Sequence, residues 1–503
     1  MKKKEQTGSI SKRTMNTFGW GCIGRDMCYN LVNSCFLIFL TDAIGFTAVG
    51  LAAFGVIMTC ARIWDAVNDP MMGTIIDNTH SKLGKFKPWI LAGALSNAVV
   101  VILMFMNYRT EPNIQVLIYG VLYILWGMTY TMNDISYWSM LPSLTIDPVE
   151  RSKVGTITNI GASIGQFAVV AGATPIVNMI SNSIASGGVI TQRGDTLARA
   201  YFIIAIVISL IFVGCSIMTF FGVENKHNVI IDAGQKKKTG LKDMFRIIKS
   251  NDQLLVVAIT YIIFNIGYYV TISMGNYYFN FIFNDYGYGT KYMVFAIILA
   301  ISTIATMAFY PIMSKKFTRK KLYTIGTIFT LIGYVGIFLV GTVLPTSMII
   351  IGAFGAVLFF GSSTLSMLII MMFADTVEYG QWKTGSRNES ILYSIRPFSV
   401  KLASAVSGFV VTQTIALSGL IDISNKLAGL SQENLDIYHQ NIATILATIT
   451  QNQKMTLILV MTVAPIILIL ISYFFFMKKF NLDKDRYNQI LVDLRKRETE
   501  PNK

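Results

Sequence analysis

Apolar residues run along the chain in long blocks separated by short polar stretches. A helix needs about 20 mainly apolar residues to cross a hydrocarbon layer of about 30 Å. Twelve blocks meet that requirement, at 16–41, 45–70, 88–108, 113–138, 154–180, 199–222, 253–283, 290–314, 321–342, 346–374, 391–419 and 453–477. Several exceed the minimum, which tilt or extension beyond the bilayer absorbs. The polar stretch 223–252 divides them into two sets of six. The expected organisation is therefore a first half at 1–222, a central loop at 223–252, a second half at 253–477 and a tail at 478–503. Residues 420–450 read as a polar outer loop without a strong period. The tail from Asp485 to Arg497 reads either as a short surface helix or as a solvated segment.

Composition sharpens this picture. Of 503 residues, 53% are hydrophobic and only 14% charged, against about 25% charged in an average soluble domain. An ordinary soluble enzyme is excluded. The net charge of +15 would suggest nucleic acid in a soluble protein. Here the bases alternate from loop to loop instead. The N-terminal tail, every second loop and the C-terminal tail hold 32 of the 42 Lys and Arg, and the opposite loops hold six. The positive-inside rule then places both termini in the cytoplasm of a multi-pass cell-membrane protein, which requires an even number of spans. A cleaved signal peptide is not expected, because Arg25 and Asp26 interrupt the first apolar block. The five cysteines fall in apolar runs without paired spacing, and His80, His227 and His439 all lie in loops. Neither a disulfide framework nor a structural metal site is implied. No nucleophile–base pair and no Walker pattern is visible, so neither enzymatic activity nor use of ATP or another cofactor is expected.

Six spans, a basic central loop and six more spans form the layout of a major facilitator transporter. The stretch Gly73–Asp77 followed by Ser81–Lys85 resembles that superfamily's loop between helices 2 and 3, with a weaker echo at Pro311–Lys321. Within the spans the charged residues are few: Arg25, Asp26, Arg62, Asp65, Asp69, Asp134, Arg396 and Lys401. Each costs about 2.5–3.5 kcal/mol at mid-membrane by insertion scales, so each requires compensation. Asp65 and Asp69 are four apart and share a helix face, with Asn68 beside them; Thr131 and Asp134 are three apart on the fourth helix. If those faces meet, three carboxylates, an amide and a hydroxyl surround one point. That oxygen set suits a hard monovalent cation. A second reading has Arg62 and Arg25 neutralising the same acids as structural ion pairs. Trp138, one turn beyond Asp134, suits a sugar: the carboxylate accepts paired hydroxyl hydrogen bonds and the indole covers the C–H face. Without the acid it would read as an interfacial tryptophan.

The strings holding these residues carry a resemblance. Arg62–Pro70 followed by Gly84–Trp89 is one, Trp126–Asp134 with Trp138 and Pro142 a second, and Ala374–Gly380 with Tyr393 and Lys401 a third. Together they resemble the glycoside–pentoside–hexuronide:cation symporters, the melibiose-carrier-like branch of the major facilitator superfamily. The match is close over helices 1–4, good over helices 10–11 and loose elsewhere. The resemblance implies an all-α fold of twelve helices in two six-helix halves around a central site. It assigns cation binding to Asp65, Asn68, Asp69 and Thr131, and sugar binding to Arg25, Asp26, Asp134, Trp138, Arg396 and Lys401. Arg62, Asp375 and Glu378 fall at gating positions. Two departures stand out: Asn159 replaces a family arginine on helix 5, and Arg396 replaces a neutral residue on helix 11. Arg396 either admits an acidic sugar or pairs with a nearby acid.

The implied activity is import of a sugar or glycoside coupled to a monovalent cation by alternating access. Sodium is preferred, because Asn68 and Thr131 are neutral oxygen donors that a metal ion uses and a proton does not need; H⁺ and Li⁺ remain open. The alternatives are proton-coupled symport of a hexuronide or pentoside, and an uncoupled facilitator or sensor. A lysolipid transporter is disfavoured by the polar residues Asp26, Asp134 and Lys401. The expected partners are a sugar, a cation and membrane lipid, and no nucleic acid.

Overall fold

The structure is a computed structural model that describes residues 10–144, 148–188, 190–224, 249–385 and 389–499. Most of the central loop lies outside the described residues. So do Pro142, Tyr393 and Arg396, as far as their side chains are concerned.

The apolar blocks form helices. In chain order these are α1 (Lys12–Trp20), α2 (Ile23–Ile38), α3 (Ala48–Asp77), α4 (Lys87–Met104), α5 (Pro112–Leu144), α6 (Pro148–Ser186) and α7 (Arg193–Gly222). Then follow α8 (Asp252–Ile282), α9 (Thr290–Lys316), α10 (Arg319–Thr342), α11 (Met348–Thr384), α12 (Glu389–Leu417), α13 (Leu420–Ala428), α14 (Leu435–Ala447), α15 (Gln451–Ile458), α16 (Ala464–Lys479) and α17 (Lys484–Thr499). Among the described residues, eleven helical stretches are long and apolar enough to cross a membrane. The remaining span of the twelve is the first. It is broken between α1 and α2 at Gly21–Cys22, and a π turn at Phe39–Ala43 extends it. A second π turn, Leu459–Val463, joins α15 to α16. Large apolar side chains such as Leu117, Leu210, Ile301 and Phe474 are exposed on helix surfaces, as lipid-facing positions require.

Between 420 and 450 the structure differs from the expected plain loop. Leu420, Ser424 and Leu427 recur at helical spacing and are buried along one face of α13. Gly419, at a φ of 73°, starts that helix in a left-handed conformation that glycine adopts without strain. Nine residues are too short for a period to stand out in a sequence window. The tail forms α17, so its surface-helix reading holds. Ile490 and Leu494 are buried, and Asp493 accepts a hydrogen bond from Trp382 of α11 at 3.2 Å.

The chain divides into two compact units. The first comprises Met1–Gln235, Tyr286–Met293 and Ile415–Ile449; the second comprises Lys236–Asp285, Val294–Thr414 and Thr450–Lys503. In the first, α2 packs on α6 and α7, and α5 packs on α3 and α4. Hydrophobic force is weak between helices in lipid, so close packing and polar contacts hold them together. Gly165 lets α6 approach α2 so closely that a Cβ there would lie 2.4 Å from the Ile23 carbonyl oxygen. Asn97 of α4 donates to the Trp126 carbonyl at 3.1 Å and to Thr129 Oγ1 at 2.9 Å, and Asn133 of α5 donates to the Ile90 carbonyl at 2.7 Å. These bonds fix α5, the helix carrying Thr131 and Asp134. In the second unit α10 packs along α11, and α8 packs against α16.

Candidate substrate and cation site

Helix α3 brings Arg62, Asp65, Asn68 and Asp69 along one side, and α5 meets it there. The contact is in register over one turn. At Gly127 of α5 an added Cβ would lie 2.9 Å from Asp65 Oδ1, and four residues on, Thr131 Oγ1 donates to Asp69 Oδ1 at 3.0 Å. The two faces that the sequence places separately therefore do meet. Asp65, Asn68 and Thr131 are buried, and Asp69 is half-buried. The Asn68 Nδ2 has no hydrogen-bond partner.

Arg62 lies at the N-terminal end of this group on α3. Its NH1 is 3.6 Å from Asp65 Oδ2, its NH2 donates to Asn33 Oδ1 at 2.7 Å, and its guanidinium carbon stands 5.6 Å and 5.2 Å from the ring centroids of Tyr123 and Trp126. A buried cation held by a carboxylate, an amide oxygen and two aromatic faces is well compensated. Asn33 was not legible as a site residue. Its signal is the polar stripe Asp26, Asn30, Asn33 along α2, spaced by four and then three.

One helix turn beyond Thr131 a second polar group begins. Arg25, with only 3% of its side chain exposed, donates from NH2 to Asp26 Oδ2 at 2.7 Å, and its NH1 is 3.3 Å from Asp134 Oδ1. Its guanidinium carbon stands 4.8 Å from the Tyr137 ring centroid and 5.1 Å from that of Trp138. Asp134 differs from its neighbours in access: 32% of its side chain is exposed. The arrangement is an accessible carboxylate braced from behind by a buried guanidinium, with a half-buried indole one turn along. Between the two groups stand Tyr29, Trp126 and Tyr130, with Tyr29 centred 5.8 Å from Trp126 and 4.9 Å from Tyr130. Ion pairs Arg62–Asp65 and Arg25–Asp26 are thus present, as the structural reading of these acids supposed. Asp69 and Thr131 form an oxygen-rich patch beside them, and Asp134, itself ion-paired with Arg25, is the more accessible acid.

Comparison with known proteins decides the family. Residues 17–484 match the family described as MFS/sugar transport protein. The chain belongs to the MFS/sugar transport protein family. It is 29% identical over 487 residues to the lactose permease of Lactobacillus delbrueckii subsp. bulgaricus, covering 95% of this chain and 72% of that protein. It is 28% identical over 493 residues to the raffinose carrier protein of Pediococcus pentosaceus, covering 95% and 70%. Among solved structures, its fold is similar to a bacterial homolog of the human lysosomal transporter Spinster, with a TM-score of 0.63 at 9% identity over 93% of this chain and 97% of that one. It is also similar to the nucleoside transporter NupG, with a TM-score of 0.61 at 14% identity over 92% and 99%. The fold is that of a major facilitator transporter: all-α, integral to the membrane and not that of an enzyme.

The remaining candidate residues of this MFS/sugar transport protein belong to the second unit. Lys401 is half-buried on α12, and the Arg396 side chain lies outside the described residues. Asp375, buried on α11, accepts from Arg319 Nε at 3.0 Å and from Arg319 NH2 at 3.2 Å. Glu378 follows it, half-buried. Arg319 is a loop-proximal base by sequence, and its fork-like pairing with Asp375 ties the start of α10 to α11. Asn159 is exposed on α6.

Proposed function

We propose that this chain is a symporter that carries a sugar or glycoside, coupled to a monovalent cation, through the cell membrane by alternating access, with both termini in the cytoplasm. Asp65, Asn68, Asp69 and Thr131 take the cation, which is Na⁺. Arg25, Asp26, Asp134 and Trp138 take the sugar, with Arg396 and Lys401 contributing from the second half. Arg62, Asp375 and Glu378 act in gating. The observation that carries this reading is the arrangement of α5: Thr131 holds Asp69, and Asp134, three residues on, is the accessible acid beside Trp138. One helix serves both groups, so a cation at one end steadies the acid at the other.

The mechanism follows from that arrangement. A cation entering at Asp69 and Thr131 relieves repulsion among Asp65, Asp69 and Asp134 and draws α3 and α5 together. Asp134, held by Arg25, then accepts sugar hydroxyls in a fixed direction while Trp138 covers the apolar face. The loaded carrier changes its access, and the cation leaves into a sodium-poor compartment. The coupling is reciprocal: sugar raises cation affinity by the factor with which cation raises sugar affinity. The named activities of the relatives, lactose and raffinose transport, put neutral galactosides ahead of acidic sugars.

The test is uptake of labelled galactosides, pentosides and glucuronides into liposomes holding the purified protein, with and without an inward Na⁺ gradient. Accumulation of a galactoside driven by Na⁺ is expected. Uptake driven by a pH gradient alone would replace Na⁺ by H⁺, and entry indifferent to both would make the protein a facilitator. A sharper test uses Gly127→Ala. The new methyl group would push the Asp65 carboxylate off the face of α5, and overpacking of this kind costs about 1–3 kcal/mol. The Na⁺ concentration for half-maximal stimulation should rise by about tenfold, while half-maximal sugar concentration at saturating Na⁺ stays near its original value. An equal rise in both would mean general loosening of the bundle.

A further inference from the structure

Arg62 divides its guanidinium between two acceptors on two helices. Its NH2 donates to Asn33 Oδ1 of α2 at 2.7 Å, a short charge-assisted hydrogen bond. Its NH1 stands 3.6 Å from Asp65 Oδ2, beyond hydrogen-bond length, so that contact is electrostatic. A carboxylate is the stronger acceptor, yet the neutral amide holds the shorter contact. The orientation of Asn33 accounts for this. Its Nδ2 donates to the Tyr29 carbonyl at 2.8 Å, one turn back on α2. With the donor end of the amide engaged there, Oδ1 is the end presented to Arg62. The rings of Tyr123 and Trp126, 5.6 Å and 5.2 Å from the guanidinium carbon, support the group from another side.

Asp65 feels the result. Its Oδ2 looks toward Arg62, and its Oδ1 lies toward Gly127 of α5, on the face where Thr131 donates to Asp69. Any movement of the guanidinium toward Asp65 therefore offsets more of the charge that this face offers. A like charge brought close also disfavours a bound cation directly. Asn33, a half-buried neutral residue on a helix that supplies none of the four proposed cation ligands, thus governs how the charge of Asp65 is divided.

We propose that Asn33 is a positioning residue for cation binding: by holding Arg62 NH2 it sets how much of the Asp65 charge the guanidinium offsets, and so how tightly the group holds a cation. This rests on the symporter reading and adds to it the residue that tunes its cation site. The test compares two variants of the full-length protein in liposomes, reading the Na⁺ concentration for half-maximal stimulation of labelled galactoside uptake. Asn33→Leu keeps the volume but removes the acceptor, so Arg62 closes on Asp65. Asn33→Asp keeps the shape and takes Arg62 into an ion pair, so Asp65 is released. The half-maximal Na⁺ concentration should rise about tenfold in Asn33→Leu and fall about tenfold in Asn33→Asp, the lower end of what one charge within about 4–6 Å does to a neighbouring equilibrium. Half-maximal sugar concentration at saturating Na⁺ should stay within about threefold in both. Loosened packing alone would raise the Na⁺ requirement in both variants, so shifts of the same sign overturn the inference, as do shifts of less than about threefold. If Asn33→Leu does not fold, the isosteric Asn33→Asp decides by itself: a lowered Na⁺ requirement supports the inference and any other result overturns it. A wild-type protein that carries sugar without regard to Na⁺ overturns the Na⁺-coupled reading and this inference with it; a responsive wild type with unshifted variants overturns this inference alone.

Discussion

Asp69→Cys is expected to abolish cation-driven accumulation while sparing sugar exchange down a gradient. The reason is the distribution of charge around α3. Asp65 already faces the Arg62 guanidinium at 3.6 Å, so its negative charge is largely offset. Asp69 accepts from the neutral Thr131 hydroxyl at 3.0 Å, and on the proposed assignment its carboxylate is the charge that meets the cation. Removing that carboxylate removes the charge that distinguishes the loaded from the empty carrier. A membrane potential of about 100 mV contributes roughly 2.3 kcal/mol per monovalent cation, which corresponds to about 40-fold accumulation at roughly 1.4 kcal/mol per decade. In the variant that ratio should fall to about one, measured as internal over external labelled sugar in energised vesicles. Sugar counterflow, which needs no net coupling, should persist. Sodium stimulation retained in Asp69→Cys would move the cation site elsewhere.

The residues behind this expectation were legible for a physical reason. Charged groups are so costly in an apolar run that the few present announce themselves, and the spacing of Asp65, Asp69, Thr131 and Asp134 already tells which share a face. What spacing does not tell is which faces meet. That information lies in Gly127, whose missing side chain admits Asp65, and in Asn97 and Asn133, which fix α4 against α5. Asn33 escaped notice because a neutral amide in a membrane helix costs far less than a charge. Arg193 and Arg319 escaped for the opposite reason. Both are loop-proximal bases, and charge counting by side treats them as topology signals whether they are buried or not. Arg193 is 1% exposed, and only the chain folding back at 415–449 reveals why. The helices themselves followed from apolar length. The exceptions were the break at Gly21–Cys22 and the short helices α13 and α14, whose extent is too small for a period to assert itself.

Asp134→Asn should separate the two halves of the proposed site. The change keeps shape and size but replaces a charged acceptor by an amide, so at least one sugar hydroxyl loses a charge-assisted bond. Such bonds contribute about 1.5–3 kcal/mol, and sugar affinity should fall by about 100-fold. Arg25 retains Asp26 at 2.7 Å, so the buried guanidinium is not stranded and the helices should remain packed. On the proposed assignment, Na⁺ binding in the absence of sugar rests on Asp69 and Thr131, and its affinity should change by less than about threefold. The two constants are measured separately by titration calorimetry on the purified protein. Coupling then makes a further demand. Because sugar and cation raise each other's affinity by one common factor, loss of the charge linking the two groups along α5 should bring that factor toward one, measured from either ligand. A variant with weakened sugar binding but an unchanged coupling factor would show that Asp134 holds sugar without communicating with the cation. The communication would then have to run through Arg62 and the Tyr29, Trp126 and Tyr130 rings, which stand between the two groups.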